Sequence, residues 1–285
     1  MEAISFLGFY EPFSSFTHLL AALASLIAGI YLIKRGRGTR ARIISLCIFT
    51  FSMVFLFSMS GVYHLLSKEG TARGVLQRLD YAGIWLLIAG TFTPIHVILF
   101  RGPWRWGVLG IVWTIAITGL VLQVIFFHEF PEWLSLTLFL TLGWGGLFTG
   151  YHFYQKFSHE SLKLMIYGAL LYSFGAIIDF ARWPTIIDGV LGPHEIFHIA
   201  VIMAASSFWL FVYQWSGHPV KDKLYFLVHV YPDGKHIAKE KFERIIIEAP
   251  TREALKQSIQ DEIKSQYDVS YTPRVKLTYQ DVEYL

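Results

Sequence analysis

Two histidines at helical spacing are the residues of this chain best suited to chemistry. His194 and His198 are four residues apart, and the apolar stretch after them runs to residue 213 without a charge. On a helix, the two imidazoles would project from one face about one turn apart, the geometry for holding one metal ion. Polar side chains are costly in an apolar membrane helix, so the pair indicates a function. The alternative is that both rings only form hydrogen bonds near a membrane surface.

The composition is that of a membrane protein. The chain has 285 residues, of which 54% are hydrophobic and 16% are charged, and its mean hydropathy is +0.46. A chain of this composition is too apolar and too poor in charged residues to be an ordinary soluble domain. The single cysteine, Cys47, excludes a disulfide framework and a cysteine-rich metal site, so His, Asp, Glu or water must hold any metal. The net charge of +3 is small and does not indicate nucleic-acid binding.

Seven segments are apolar enough, and long enough, to cross a bilayer core of about 30 Å as helices. The predicted spans are residues 14–33, 41–66, 76–100, 104–127, 133–154, 162–181 and 193–213. We therefore predict an all-α membrane protein, a seven-transmembrane-helix bundle at residues 1–217, followed by a small α+β soluble C-terminal domain at residues 218–285.

The tail has a different, charged composition after Gly217, which predicts a domain boundary. Strand-forming residues at 224–231 and 242–248 flank a Pro-Asp-Gly turn signal and predict a β-hairpin. Thr251 can cap a following helix, and residues 274–279 can return as a strand. Because no catalytic motif is present, we interpret the tail as a small regulatory or docking module for a cytoplasmic partner.

Further polar residues lie near the predicted ends of other spans. Ser60 and His64 are four residues apart near the end of the second span, and Asp80 lies about one turn inside the third. In a seven-span chain, the end of the second span and the starts of the third and seventh share one leaflet. His64 and Asp80 are therefore predicted to lie at a similar depth to His194 and His198.

Two other histidines are predicted to lie on the opposite side of the membrane. His96 and His152 are near the ends of odd-numbered spans, whereas the residues above are at the other ends. This placement excludes them as partners of the histidine pair. We interpret them as interfacial or core histidines.

Four short runs carry most of these polar residues. They are 11–18 (Glu-Pro-Phe-Ser-Ser-Phe-Thr-His), 60–64 (Ser-Gly-Val-Tyr-His), 79–94 (with Leu-Asp-Tyr-Ala-Gly-Ile and Ala-Gly-Thr-Phe-Thr-Pro) and 192–198 (Gly-Pro-His-Glu-Ile-Phe-His). Together they resemble the hemolysin III branch of the progestin and adipoQ receptor family, which is distantly similar to alkaline ceramidases. The resemblance covers roughly residues 10–215 and leaves the tail unaccounted for.

The resemblance implies a zinc ion inside the helical bundle, with ligands that map onto His64, His194 and His198. It also maps the family's serine and aspartate onto Ser60 and Asp80, which are thought to hold or activate a water molecule. Members of the family include lipid-amide hydrolases and receptors. The resemblance therefore leaves the reaction open.

The chemistry of such a site can be argued from the residue types. Three neutral imidazoles leave a tetrahedral Zn²⁺ with one open position for water, as in catalytic sites. Asp80 could take a proton from that water, and Ser60 could hydrogen-bond the water or a developing oxyanion. We therefore predict hydrolysis of an amide or ester of a membrane lipid, with a receptor that holds a structural zinc as the alternative.

A third alternative is an intramembrane metalloprotease, because residues 194–198 also fit the pattern H-E-x-x-H. Glu195 would then be the general base. This interpretation leaves Ser60, His64 and Asp80 without roles. We therefore expect Glu195 to be an interfacial carboxylate or one that supports the metal ligands.

The orientation is predicted from the distribution of Lys and Arg. Near the spans, about eleven of these residues lie in the first, third and fifth loops and at the start of the tail, and about four lie in the second, fourth and sixth loops. The positive-inside rule then places the N-terminus and the metal outside and the C-terminal domain in the cytoplasm. The animal adiponectin receptors that the chain resembles are described with the opposite orientation.

Overall fold

The structure, a computed structural model, describes residues 5, 8–37, 39–68, 70–156, 159–217, 223–241, 245–266 and 273–282. Its membrane part contains seven helical spans long and apolar enough to cross a bilayer. The helices are α1 (Pro12–Arg35), α2 (Arg40–Leu65), α3 (Thr71–Leu99), α4 (Gly102–Ile125), α5 (Glu132–Trp144), α6 (Gly146–Lys156), α7 (His159–Ala181) and α8 (Pro193–Ser216). The predicted seven-helix membrane fold is confirmed, with small shifts at the ends of the spans.

The fifth span differs from the single helix that the sequence predicts. It consists of α5 and α6, which are separated at Gly145. Glycine costs about 1 kcal/mol more than alanine in a helix, and Gly143 and Gly146 flank the same point. Just before the break, the indole N–H of Trp144 donates to the Ser173 hydroxyl of α7 at 2.9 Å. The interrupted span therefore remains attached to its neighbour.

The central helix of the bundle is α3. In its apolar window, 83% of the residues are buried, against 17–50% in the other spans. Two glycines let α2 approach it closely, because a Cβ atom would lie 2.8 Å from an α2 side-chain atom at Gly83 and 2.2 Å from one at Gly90. Small residues at such contacts allow helix backbones to pack tightly in membranes. The packing places Ser60 and His64, near the end of α2, beside Asp80, near the start of α3.

The C-terminal part is a four-stranded sheet with one helix. The elements are β1 (Lys223–Val230), β2 (His236–Glu240), β3 (Ile246–Ala249), α9 (Arg252–Gln266) and β4 (Arg274–Asp281). The strand order is β3-β2-β1-β4, with β1 antiparallel to β2 and parallel to β4. As predicted, Thr251 caps α9, since its Oγ1 accepts from the N–H of Ala254 at 3.2 Å.

The hairpin of this sheet differs from the prediction. The partner of β1 is β2, with Val230 opposite His236, and not a strand at 242–248. Residues 242–244 of that predicted strand lie outside the described residues, and its last three belong to β3. The sequence of β2, His-Ile-Ala-Lys-Glu, is weak in strand-forming residues, so composition did not reveal it.

Candidate metal centre

The start of α8 holds His194 and His198 in place. Gly192 precedes the helix, Pro193 occupies its first turn, and the N–H of Gly192 donates to Oε2 of Glu195 at 3.0 Å. The other oxygen of Glu195 accepts from the Ser14 hydroxyl of α1 at 3.2 Å. Both oxygens of this carboxylate are thus used in fixing the beginning of α8. Glu195 is a helix-capping residue in this structure, and we find it bonded to α1 rather than to the histidines.

Three imidazoles from two helices converge on one point. Nε2 of His194 lies 3.2 Å from Nε2 of His64 and 3.1 Å from Nε2 of His198. One ligand atom from each residue lies within 4.8 Å of the other two. Nitrogen ligands at about 2.0–2.1 Å from one tetrahedral ion are about 3.3 Å apart, so the donor set fits a single metal ion. His64 and His198 are buried, at 3% and 1% exposed.

Carboxylates support two of these rings from behind. Nδ1 of His64 lies 2.5 Å from Oε2 of Glu11, and Nδ1 of His194 lies 3.1 Å from Oδ1 of Asp179. A carboxylate on Nδ1 keeps the proton there and leaves Nε2 free to bind a metal. The sequence interpretation assigned no role to Glu11 or Asp179. A signal was present for Asp179, since it is a carboxylate within an otherwise apolar stretch of α7.

Glu11 also connects the start of α1 to the neighbouring helices. Its Oε2 accepts from Arg73 of α3 at 2.8 Å, and its backbone N–H donates to the His64 carbonyl at 3.0 Å. Burial by itself raises the pKa of Glu11, but the hydrogen bond and charge of His64, together with Arg73, lower the pKa to about 2. The carboxylate is therefore ionised at neutral pH, as a partner of Nδ1–H must be.

The structure brings Ser60 and Asp80 next to the histidine triad. Their side chains interact with each other, and Asp80 interacts electrostatically with His64 and His194. Ser60 is buried at 1% exposed. The oxygens of Asp80 do not belong to the ligand cluster that the described residues form. The arrangement therefore separates three nitrogen donors from a neighbouring serine and carboxylate.

His18 of α1 is a further member of the site that the sequence interpretation did not single out. Its ring stacks on that of His198, with centroids 3.8 Å apart and planes 15° from parallel, and it packs edge-on against Phe57 at 5.1 Å. The side chain is 3% exposed. The spacing of Glu11 and His18, two helical turns, was the available signal that both face the same side of α1.

A cavity of about 610 Å³ begins at this cluster. Its polar end includes His18, Ser60, Asp80, His194 and His198. The remaining wall is largely apolar and comes from α3, α5, α6, α7 and α8, with the lining residues Thr91, Ile95, Phe139, Leu140, Ile166 and Ala169 among others. Along α3, the wall extends from Asp80 to Ile95, a length of about 22 Å at 1.5 Å per residue. The cavity therefore has a polar end at the histidines and a long, largely apolar wall.

His96 and His152 are placed at the other end of the bundle. Nδ1 of His96 contacts the Trp104 carbonyl at 2.5 Å, and its Nε2 contacts the Thr149 hydroxyl at 3.0 Å. The ring of His152 stacks on Trp104 with centroids 4.1 Å apart. Sixteen residues of α3 separate His96 from Asp80, which is about 24 Å along the helix. Their contacts are those of core histidines.

The sequence is similar to known membrane proteins across the helical bundle. The family model described as "Haemolysin-III related" matches residues 8–209. The chain is 30% identical to "Hemolysin-3" of Bacillus cereus over 67% of this chain and 85% of that protein. It is 32% identical to the "Hemolysin-3 homolog" of Bacillus subtilis (strain 168) over 62% and 82%, respectively. It is 30% identical to the "Adiponectin receptor protein" of Drosophila melanogaster, over 68% of this chain and 48% of that protein.

The fold and the site together define a class of protein. It is the class of seven-helix integral membrane proteins with a histidine triad, buried at His64 and His198, that is able to hold a metal ion. With the family match over most of its length, the chain belongs to the hemolysin III branch of the progestin and adipoQ receptor family.

Proposed function

We propose that this protein is a zinc-dependent hydrolase that cleaves an amide or ester bond of a membrane lipid, as in a ceramidase. The proposed ligands are His64, His194 and His198. The observation that carries the proposal is that His194 and His198 line the same end of the long apolar cavity as Ser60 and Asp80. A metal ion that only holds the helices together would need neither the cavity nor these two side chains.

Zinc bound by three imidazoles would supply a water molecule with a pKa lowered to about 7. Asp80 accepts the proton of the attacking water while the oxygen forms a bond to the lipid carbonyl carbon. The proton then passes from Asp80 to the leaving nitrogen or oxygen as its bond to carbon breaks, giving a carboxylic acid and an amine or alcohol. Ser60 donates a hydrogen bond to the developing oxyanion or orients Asp80.

The remaining residues position these groups. Glu11 and Asp179 hold the Nδ1 protons of His64 and His194, so that each Nε2 points to the common centre. The apolar wall of the cavity takes the acyl chain and excludes water from it, since burial of each methylene contributes about 0.8 kcal/mol. The site would thus recognise the amide or ester bond of a lipid at one end and the length of its acyl chain along α3.

A receptor with a structural metal is the second candidate. It is favoured by the similarity to the Drosophila protein named as an adiponectin receptor and by the way the triad joins α2 to α8. The intramembrane protease is disfavoured, because a general base needs a free carboxylate and Glu195 is occupied with Gly192 and Ser14.

Hydrolysis of a lipid substrate distinguishes the two candidates. We expect the purified full chain, in lipid nanodiscs with a fluorescent ceramide-like amide, to release fatty acid at a rate that a chelator abolishes and added zinc restores. A receptor would show no zinc-dependent release from any acyl amide or ester offered. Ligand-dependent signalling by such an inactive protein would replace the hydrolase proposal.

A further inference from the structure

The C-terminal sheet has two different faces. On one face, Leu224, Phe226 and Val228 of β1 are buried at 0–1% exposed. They form a core with Leu255, Ile259 and Ile263 of α9, which are also buried. Because side chains alternate along a strand, the intervening residues of every strand lie on the opposite side of the sheet. We call that side the open face.

The strand register defines which residues share the open face. Leu227 of β1 is opposite Lys239 on β2 and Thr278 on β4, and Lys239 is in turn opposite Ile246 on β3. Two residues away along β1 and β4, Tyr225 is opposite Lys276. Other described members are His229, Ile237, Glu248, Arg274 and Gln280.

The open face combines exposed cations with exposed apolar side chains. Lys239, Arg274 and Lys276 are exposed, whereas Glu248, the acidic member among the described residues of this face, is paired with Lys235 at 2.6 Å. Leu227 and Ile246 are 38% and 59% exposed. Surfaces that lie on membranes have this combination of basic and apolar groups.

The connection to the bundle keeps this sheet close to the bilayer. The last helix ends at Ser216 and β1 begins at Lys223, so the link can span at most about 25 Å even when fully extended. The end of α8 is also the basic end of the bundle. There, Nε of Arg35 donates to the Tyr213 carbonyl at 3.1 Å, and the guanidinium of Arg42 donates to the Ser216 carbonyl at 3.0 Å. The leaflet that meets these arginines is the one the sheet can reach.

We propose that the open face docks on anionic phospholipid headgroups of the leaflet in which α8 ends. The cations contact headgroup phosphates, and Leu227 and Ile246 insert at the level of the headgroups. Docking of this kind makes the position of the tail depend on the lipid charge. This inference does not rest on the proposed hydrolysis or on the identity of the metal.

The docking can be measured on the full chain with a fluorescent label. In a Cys47→Ser background, Thr278→Cys carries an environment-sensitive dye on the open face. In nanodiscs with phosphatidylglycerol, we expect a blue-shifted emission that headgroup-level nitroxide lipids quench, and neither effect in phosphatidylcholine alone. Each cation at an anionic surface favours the docked state about fivefold, so three cations favour it on the order of a hundredfold, less at high salt.

A matched pair of charge reversals tests which surface is responsible. Arg274→Glu/Lys276→Glu should abolish the shift and the quenching in anionic nanodiscs. The control Lys256→Glu/Lys264→Glu changes the same number of exposed charges on α9 and should retain both effects. Unchanged hydrogen exchange of the α9 amides would show that the sheet domain stays folded. A dye that remains water-exposed in anionic nanodiscs, or an equal loss in the control, overturns the proposal and leaves the face for a protein partner.

Discussion

Nδ1 of His64 lies 2.5 Å from Oε2 of Glu11, while the opposite nitrogen of the same ring faces His194 at 3.2 Å. One imidazole thus connects a carboxylate before α1 to the candidate metal position between α2 and α8. The ring cannot rotate without breaking one of these contacts. The arrangement makes the histidine triad preorganised, and it identifies changes that should affect metal binding without touching a ligand.

The metal content of the histidine variants is the most direct test of the centre. We expect about one zinc per chain in the purified protein, lost in His194→Ala and His198→Ala and weakened in His64→Ala, because each change removes one of three ligands. The control, His128→Ala, alters an exposed loop histidine and should retain the metal. Mass spectrometry of the metal provides the measurement. Full occupancy in the three variants of the triad would show that zinc is bound elsewhere.

Glu11→Gln should weaken metal binding although Glu11 is not a ligand. Loss of the charge behind Nδ1 reduces the basicity of the His64 ring, which we expect to lower the zinc affinity by about 10- to 100-fold. Competition with a fluorescent chelator gives the affinity. Glu129→Gln, at an exposed position of the loop after α4, is the matched control. An affinity unchanged in Glu11→Gln would mean that the carboxylate only attaches α1 to Arg73.

The variant Asp80→Asn tests whether Asp80 acts as the general base or as a metal ligand. A carboxamide has nearly the same size but cannot accept a proton, so we expect kcat on a ceramide-like amide to fall by about 10²- to 10⁴-fold while zinc remains bound. Glu195→Gln should be mild, because an amide oxygen can still accept the Gly192 N–H that caps α8. The reverse ranking on a membrane peptide would support the protease. Loss of zinc in Asp80→Asn would instead assign the aspartate a role in metal binding.

Filling the cavity with a larger side chain should change the acyl-chain length that the protein prefers in its substrate. Ala169 lines the cavity on α7, ten residues before Asp179 and thus about 15 Å along the helix from the level of the triad. In Ala169→Phe, each methylene that can no longer be buried should lower kcat/KM about fourfold, which corresponds to 0.8 kcal/mol. Short-chain amides should be unaffected. The control is Ala24→Phe, on an exposed face of α1. An equal effect of Ala169→Phe on short-chain and long-chain amides would argue against this cavity as the acyl site.

The orientation of the chain in the membrane is a prediction from the basic residues of the loops, which include those around the end of α8. We expect the N-terminus outside and the C-terminal domain in the cytoplasm, because positively charged loops stay inside. In a Cys47→Ser background, an impermeant maleimide applied to intact cells should label Ser5→Cys and leave Gln260→Cys, at an exposed position of α9, unlabelled until the cells are permeabilised. Labelling of the tail with protection of position 5 would invert the assignment.

By itself, the sequence determined the membrane fold and the depth of the polar residues. Hydropathy is a local property of about 20 residues, so the seven spans could be read without knowledge of their packing. Alternation of the spans across the membrane then placed His64, Asp80, His194 and His198 near one leaflet and His96 near the other. The helix after Thr251 and its cap were readable for the same local reason.

The tertiary structure decided which side chains meet. The contacts of Glu11 with His64, of Asp179 with His194 and of His18 with His198 join residues far apart in the chain. Only the packing of the helices specifies such contacts, because a spacing pattern describes one helix at a time. The same holds for Glu195, which spacing alone could not distinguish from a general base. Its carboxylate accepts from the Gly192 N–H, which caps α8, and from the Ser14 hydroxyl of α1. The cavity, which is the space left between packed helices, has no counterpart in any local stretch of sequence.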